Sequence, residues 1–369
     1  MRDPVGWLEP LVADSPPVAE HPCQNAGVVT TDAIAGSRWH ALADRVLAGG
    51  EVGRDEALSI LEAPDAGLLD LLGAAYRVRH RFYGDVVKLN VLINAKSGHC
   101  PEDCAYCSQS RVSSAAIERY QLVSKDEILA QAERAVELRA STCCIVISAR
   151  GPSKRELAGV TEAVREIKER HPGLKLCACL GLVDGEQAAE LADAGVERYN
   201  HNLNTSADFY GEICSTHGYE DRERTVQTVA RAGLSPCSGV IVGMGETHEQ
   251  LVDACFALRD IGAESIPVNF LLPIEGTPLD EAPAQLDPRF CLKVLAMFRL
   301  VCPDREIRLS AGREVHLRSL QPLGLYAANA IFASGYLTEP GQGAEADWRM
   351  IEDMGFTIEP LGAPLGPHQ

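Results

Sequence analysis

Three cysteines, Cys100, Cys104 and Cys107, fall within the short stretch SGHCPEDCAYCSQS. The C-x3-C-x2-C spacing gathers three thiolates yet leaves the chain slack enough to wrap a compact object. A ferredoxin-type cube of iron and sulfide takes four thiolates, so three leave one iron open to a substrate or cofactor. Two other chemistries use the same residues. His99 could complete a Cys3His zinc site, although zinc sites favour ligands in two close pairs. Cys104-Ala-Tyr-Cys107 could act as a redox pair, but it carries a third thiol and lacks the usual strand-to-helix setting.

Further chemistry-bearing residues sit in short apolar runs along the rest of the chain. The runs are KLNVLIN, CCIVIS, LKLCACLG, RYNHNLN, SPCSGVIVG, SIPVNFLL, EIRLSAG and NAIFASG. Between most of them lie amphipathic stretches that open on Ser, Asp or Thr and close near Gly or Pro, the signals of helix starts and stops. Runs alternating with helices over residues 86–360 predict an α/β fold, a TIM-type (β/α)8 barrel of the usual ~250-residue size. A doubly wound open sheet produces a similar alternation. Helical signals over 37–85 predict an N-terminal helical extension. Residues 1–36, rich in Pro, Ala, Asp and Val, read as a disordered tail, and 361–369 as a C-terminal tail.

Successive side chains in a strand face opposite ways, so the runs can be sorted by face. Cys143, Ile145 and Ile147 share one face, and Cys144, Val146 and Ser148 the other. The same rule groups Cys177 with Cys179 and Gly181, and Asn200 with Asn202 and Asn204. It also puts Cys237 with Gly239, isolates Asn269, and sets Arg308 with Ser310 against Ile307 and Leu309. A barrel interior that only packs is full of Val, Ile and Leu. One collecting Cys, Asn, Ser, Gly and Arg leaves polar groups costing about 1–3 kcal/mol each unless something polar or metallic fills the space.

Composition narrows the class. Asp plus Glu number 52 against 34 Lys plus Arg, a net charge of −18. No basic stripe is present, which argues against nucleic acid and anionic membrane as partners. No apolar run is long enough to span a bilayer, and MRDPVGWLEP is not a secretory signal. Thirteen cysteines without such a signal point to a reducing, cytoplasmic setting where thiols are ligands, nucleophiles or apolar filler.

Cys100, Cys104 and Cys107, with Tyr106 before the third, resemble the signature of the radical S-adenosylmethionine enzymes. The resemblance implies a [4Fe-4S] cluster whose open iron chelates S-adenosyl-L-methionine, with cleavage to a 5′-deoxyadenosyl radical. CPEDCAYCSQS, YNHNLNTS, CSGVIVGMGET, SIPVNFL and RLSAGRE together resemble the biotin synthase family, in order from about residue 45 to 360. That resemblance implies sulfur insertion into dethiobiotin and a second cluster, [2Fe-2S], as sulfur donor. Its ligands would be Cys144, Cys177, Cys237 and Arg308. Tyr106, Asn202, Asn204 and Asn269 would contact cofactor or substrate, and the glycines at 239 and 243 would let the cofactor approach the backbone.

The family also implies a flavodoxin or ferredoxin type electron donor and a homodimer. Cys143 reads as outward and structural, and Cys179 as lining behind Cys177. Cys23, Cys214, Cys255, Cys291 and Cys302 read as filler or incidental thiols, and His201 and Glu246 as supports of the site or purely structural groups. The chain departs from the family pattern at Asn204, where Asp is common, and in ISARG, which lacks a Gly-Gly-Glu pattern. Two rivals remain at this point. One is a radical enzyme with another small-molecule substrate, which would not need the inner thiols and Arg308. The other is a zinc-stabilised protein without catalysis, which would be colourless.

Overall fold

The computed structural model describes residues 38–281, 286–333, 335, 337–338 and 341–367. The expected tail at 1–36, Cys23 within it, and residues 368–369 lie outside that range. Barrel strands are β1 (Val86–Lys96), β2 (Thr142–Ile147), β3 (Lys175–Cys179), β4 (Arg198–Asn200), β5 (Ser235–Cys237), β6 (Val240–Val242), β7 (Ser265–Phe270), β8 (Glu306–Leu309) and β9 (Ala330–Phe332). They pair in parallel in chain order, with β5 and β6 both against β7, and β9 returns to β1 through Lys88–Ala330. The sheet therefore closes, and the open-sheet alternative falls away. A tenth strand, β10 (Thr357–Ile358), pairs with the start of β1.

The fifth predicted run is one barrel strand broken in two. β5 meets β7 at Cys237–Ser265, and β6 meets it again at Val240–Val268. Gly239 lies in the gap because a Cβ there would stand 2.0 Å from the Pro267 carbonyl oxygen. The glycine thus admits the neighbouring strand, a packing reason that the sequence alone does not show.

Three helices precede the barrel: α1 (Arg38–Leu47), α2 (Arg54–Leu61) and α3 (Leu68–Tyr83). Around it run α4 (Lys125–Glu137), α5 (Lys154–Arg170), α6 (Gly185–Ala194), the single turn α7 (Tyr210–Ile213), α8 (Tyr219–Arg231), α9 (His248–Asp260) and α10 (Pro288–Val301). Short α11 (Arg313–Leu317) and α12 (Gln321–Gly324) follow β8, and α13 (Ala344–Asp353) follows β9. No helix among the described residues is long and apolar enough to cross a membrane.

Capping boxes start α4, α5, α6 and α9 at Ser124, Ser153, Asp184 and Thr247, each side chain accepting from the N3 amide. At α5, Glu156 answers by accepting from the Ser153 amide at 2.8 Å and also takes Lys96 Nζ at 2.7 Å. The cap thereby ties the helix start to the end of β1. Ser153→Ala should lower unfolding stability by about 1 kcal/mol in denaturant titration. An unchanged midpoint would mean that water replaces the hydroxyl without loss.

α3 packs on α10, and α2 on α9 and α10, on the outside of the barrel. Arg79 of α3 is fully buried and donates to the carbonyls of Gly84, Val86 and Ala328, while Tyr83 Oη donates to the Asp304 carbonyl at 2.7 Å. These anchors join α3 to the segments that lead into β1, β8 and β9, at the end opposite the loop.

Candidate active site

The cysteine loop leaves β1 and is closed at its base by an antiparallel bridge between Ser97 and Tyr120. Its two acids hold it to the segment after α7. Asp103 Oδ1 accepts from the amides of Ser215 at 2.9 Å and Thr216 at 3.2 Å. Glu102 meets His217 Nδ1 at 2.6 Å and Arg150 Nη1 at 3.0 Å. Burial alone would raise the Asp103 carboxyl, but the Ser215, Cys214 and Thr216 donors outweigh it and hold it well below the usual range.

Cys214, expected to be an incidental thiol, belongs to this junction. Its Sγ lies 3.7 Å from Cys104 Sγ, 3.3 Å from Asp103 Oδ1 and 3.4 Å from His217 Nδ1. The shared proton pushes the Cys104 thiol up and brings Cys214 down to about 4. Among the described residues, the one set of three His, Cys, Asp or Glu side chains with all donor atoms within 4.8 Å is Cys104, Cys214 and His217. Cys100, Cys104 and Cys107 are therefore set wider than one ion requires, and exposed His99 does not join them. That spacing fits an object broader than a zinc ion.

The second thiol set lies deeper in the barrel. Cys144 and Cys177 are register partners across β2 and β3, and the neighbouring Cys144 thiol and burial push Cys177 well above the usual thiol range, against the pull of Cys237 and Arg308. Arg308 approaches from β8 with Nη1 3.9 Å from Cys237 Sγ. All four side chains are buried, and Arg308 Nε has no partner in the protein. An orphaned guanidinium nitrogen beside three buried thiols fits a metal-sulfide group and would be costly without one. Cys143 is also buried, with Ile145 and Ile147 in the apolar core, and burial pushes it up to about 12. Cys179 lines the cavity above Cys177.

One cavity of about 280 Å³ joins the two sets: Cys100, Cys104 and Cys107 line one part, and Cys144 and Arg308 another. Its volume far exceeds the ~10–15 Å³ that a single water needs. Leu271, Leu272 and Ile274 after β7, with Leu337 and Thr338, complete the wall. Thr338 Oγ1 lies 3.1 Å from Ser108 Oγ of the cysteine loop.

The predicted amide contacts differ in availability. Asn204 takes φ +72°, a left-handed conformation that asparagine tolerates. Its Nδ2 donates to Tyr106 Oη at 2.6 Å, so the amide in place of Asp supplies a donor and leaves the tyrosine proton to point elsewhere. Asn202 Oδ1 accepts from Asn200 Nδ2 at 3.0 Å, and both residues line the cavity. Asn269 also lines it, but its Nδ2 donates to the Val240 carbonyl at 2.9 Å and its Oδ1 accepts from the Ala311 amide at 3.2 Å. It works first as a bolt between β6 and the turn after β8.

His201 is buried against the cavity with Nε2 unpartnered, and burial holds it well below the usual histidine range. Glu246 accepts from the amides of Gly243 at 2.6 Å and Met244 at 2.8 Å, shaping the turn after β6 from behind.

Arg222 was not picked out from sequence. From α8 it donates through Nε to Tyr210 Oη, through Nη1 to the Asn202 carbonyl at 2.7 Å, and through Nη2 to Tyr106 Oη at 3.4 Å. It lines the cavity, and its charge favours the thiolate forms of Cys104 and Cys107. The available signal was its place on the buried stripe Tyr219, Arg222, Val226 and Val229.

Residues 96–258 match the Radical SAM superfamily model, and residues 267–357 match that of the Biotin and Thiamin Synthesis associated domain. The chain is 57% identical over 328 residues to the biotin synthase of Geobacillus kaustophilus, covering 89% of this chain and 98% of that protein. It is 55% identical over 323 residues to the biotin synthase of Bacillus subtilis, with 88% and 96% covered. Among solved structures, methylornithine synthase superposes with a TM-score of 0.75 at 21% identity, over 86% of this chain and 97% of that one. An FeFe-hydrogenase maturase from Carboxydothermus hydrogenoformans gives 0.74 at 16% identity, over 87% and 79%. These two likenesses concern the fold.

Proposed function

The chain belongs to the biotin synthase family, and from that membership we propose how its own residues serve the insertion of sulfur into dethiobiotin. It is a radical S-adenosylmethionine enzyme that works with iron–sulfur clusters. In our reading Cys100, Cys104 and Cys107 hold a [4Fe-4S] cluster, and Cys144, Cys177, Cys237 and Arg308 a [2Fe-2S] cluster. When bound, the first cluster with S-adenosylmethionine supplies a 5′-deoxyadenosyl radical, and the second supplies sulfur.

The observation that carries this reading is the cavity whose wall holds Cys100, Cys104 and Cys107 in one part and Cys144 and Arg308 in another. A substrate held there reaches both. The protein's share is to position and to exclude water, since a carbon radical reacts with whatever is nearest. Tyr106, Asn202 and Asn204 offer hydroxyl and amide groups around the cysteine loop for a cofactor or a ureido ring. Asn269 keeps the floor in register. Arg222 keeps Tyr106 and the Asn202 backbone in place and eases proton loss from the loop thiols.

The division into a helical extension at 37–85 and a barrel at 86–360 belongs to the same proposal. So do a flavodoxin or ferredoxin type donor, a homodimer and a cytoplasmic setting. A radical enzyme with another substrate, or a zinc-stabilised non-enzyme, is not favoured beside relatives this similar.

Mass spectrometry of an anaerobic mixture of cluster-loaded protein, S-adenosylmethionine, dethiobiotin and a strong reductant tests the reading. Biotin and 5′-deoxyadenosine should appear together. Deoxyadenosine without biotin, from protein carrying both clusters, would overturn the assignment of substrate and inner site.

A further inference from the structure

Below the inner thiols, toward the end of the barrel where the strands begin, one carboxylate gathers three cations. Glu306 stands two residues before Arg308 on β8 and shares its inward face. Glu306 Oε1 accepts from Arg308 Nη2 at 2.6 Å, Arg198 Nη1 at 2.9 Å and Ser265 Oγ at 2.8 Å. Glu306 Oε2 lies 3.3 Å from Lys88 Nζ, which also lies 3.4 Å from Glu359, just beyond β10. The Glu306, Arg198, Arg308 and Lys88 side chains are no more than 3% exposed.

We propose that Glu306 is a positioning residue for Arg308, holding the guanidinium by Nη2 alone so that Nη1 and Nε face the sulfur-donating cluster. The proposal rests on the assignment of Cys144, Cys177, Cys237 and Arg308 to that cluster. Nη2 carries two protons, and both are used, one on Glu306 Oε1 and one on Ser265 Oγ at 2.9 Å. Nη1 points to Cys237 Sγ, and Nε has no partner.

An arginine present only to neutralise a carboxylate engages it through two nitrogens, fork to fork. Here that arrangement is absent: Glu306 Oε2 accepts no hydrogen bond and faces Lys88 Nζ at 3.3 Å, while Arg198 shares Oε1 with Arg308. The network therefore spends one nitrogen on the acid and keeps two toward the thiols. Glu359 extends it to the C-terminal segment, whose amide donates to the Val87 carbonyl at 2.9 Å. The last strand thus fixes Lys88, Lys88 fixes Glu306, and Glu306 fixes the guanidinium.

The test uses full-length protein loaded with both clusters, in the forms Glu306→Gln, Glu306→Asp and Lys88→Met. The readouts are the visible and resonance Raman spectra of the second cluster and the iron it retains under chelator. Glu306→Gln should shift the spectrum in the same sense as Arg308→Lys and weaken iron retention by about 10–100-fold, the usual effect of losing a ligand's support. Glu306→Asp should restore part of the shift. Deoxyadenosine formation at the first cluster should stay within about twofold, since the substitution touches no loop residue.

Lys88→Met covers the case in which Glu306→Gln does not fold. It removes the cation that faces Oε2, so that oxygen should swing to fork onto Arg308 and draw Nη1 or Nε away, giving its own spectral shift. A second-cluster spectrum and iron retention unchanged in both Glu306→Gln and Lys88→Met would overturn the proposal. Absence of any [2Fe-2S] signature from the loaded, unsubstituted chain would overturn the cluster assignment itself, and with it this inference.

Discussion

With Cys177 replaced by alanine, the loaded chain should keep cleaving S-adenosylmethionine while its biotin yield falls by about 100-fold or more. The two activities separate because the thiol sets share a cavity but no residue. Cys177 is directly opposite Cys144 and close enough to Cys237 to shift its titration, so its loss removes the middle of three thiols. Removing a group that merely supports a ligand costs about 10–100-fold in metal affinity, and removing a ligand costs at least the upper figure. The cysteine loop is unaffected, since its anchors are Glu102, Asp103 and the 214–217 segment. Iron content, visible spectrum and both products should be measured on the same sample. Equal loss of deoxyadenosine and biotin from folded Cys177→Ala protein would count against two separate sites.

What could be read in advance depended on whether a residue's role was local. Strand alternation places Cys144, Cys177, Cys237 and Arg308 inward because β2, β3, β5 and β8 are regular there and buried on both faces. It fails where regularity stops. Glycine at 239 is a consequence of a broken strand meeting Pro267, and a run of nine residues gives no sign of the break. Asn269 reads as a free amide, yet both its polar ends are consumed by neighbouring backbone.

Long-range partners are harder still. Cys214 has nothing in its local sequence to join it to Cys104; the contact exists because Asp103 and Glu102 bind the Ser215–His217 backbone and side chains. Glu306 reads as an acid at a strand start, and only closure of the barrel brings Lys88 and Arg198 to it. The leading helices were legible as helices, but their amphipathic faces do not say which surface of the barrel receives them. Packing on α9 and α10 decides that.

Arg222→Met should be among the most damaging substitutions outside the thiols themselves. The stem of the side chain is replaced with similar volume, so packing is nearly kept, and the loss falls on the hydrogen bonds. The Asn202 carbonyl, Tyr210 Oη and Tyr106 Oη would each lose a charged donor in a buried setting. Tyr106 Oη keeps the Asn204 amide and Tyr210 Oη keeps His217, so the cost falls chiefly on the Asn202 carbonyl; an unpaired buried acceptor costs about 1–3 kcal/mol, and a loss of that size in unfolding stability is expected. Function should suffer separately. Cys214 and burial raise Cys104, and burial raises Cys107 to about 11; the guanidinium opposes both shifts, and cluster loading requires thiolates. Iron uptake at the loop should therefore slow in Arg222→Met and recover in part in Arg222→Lys, which restores the charge but cannot reach all three acceptors. Denaturant unfolding and the rate of iron incorporation at fixed pH measure the two effects independently. An unchanged unfolding midpoint would remove the structural role, and an unchanged loading rate the electrostatic one.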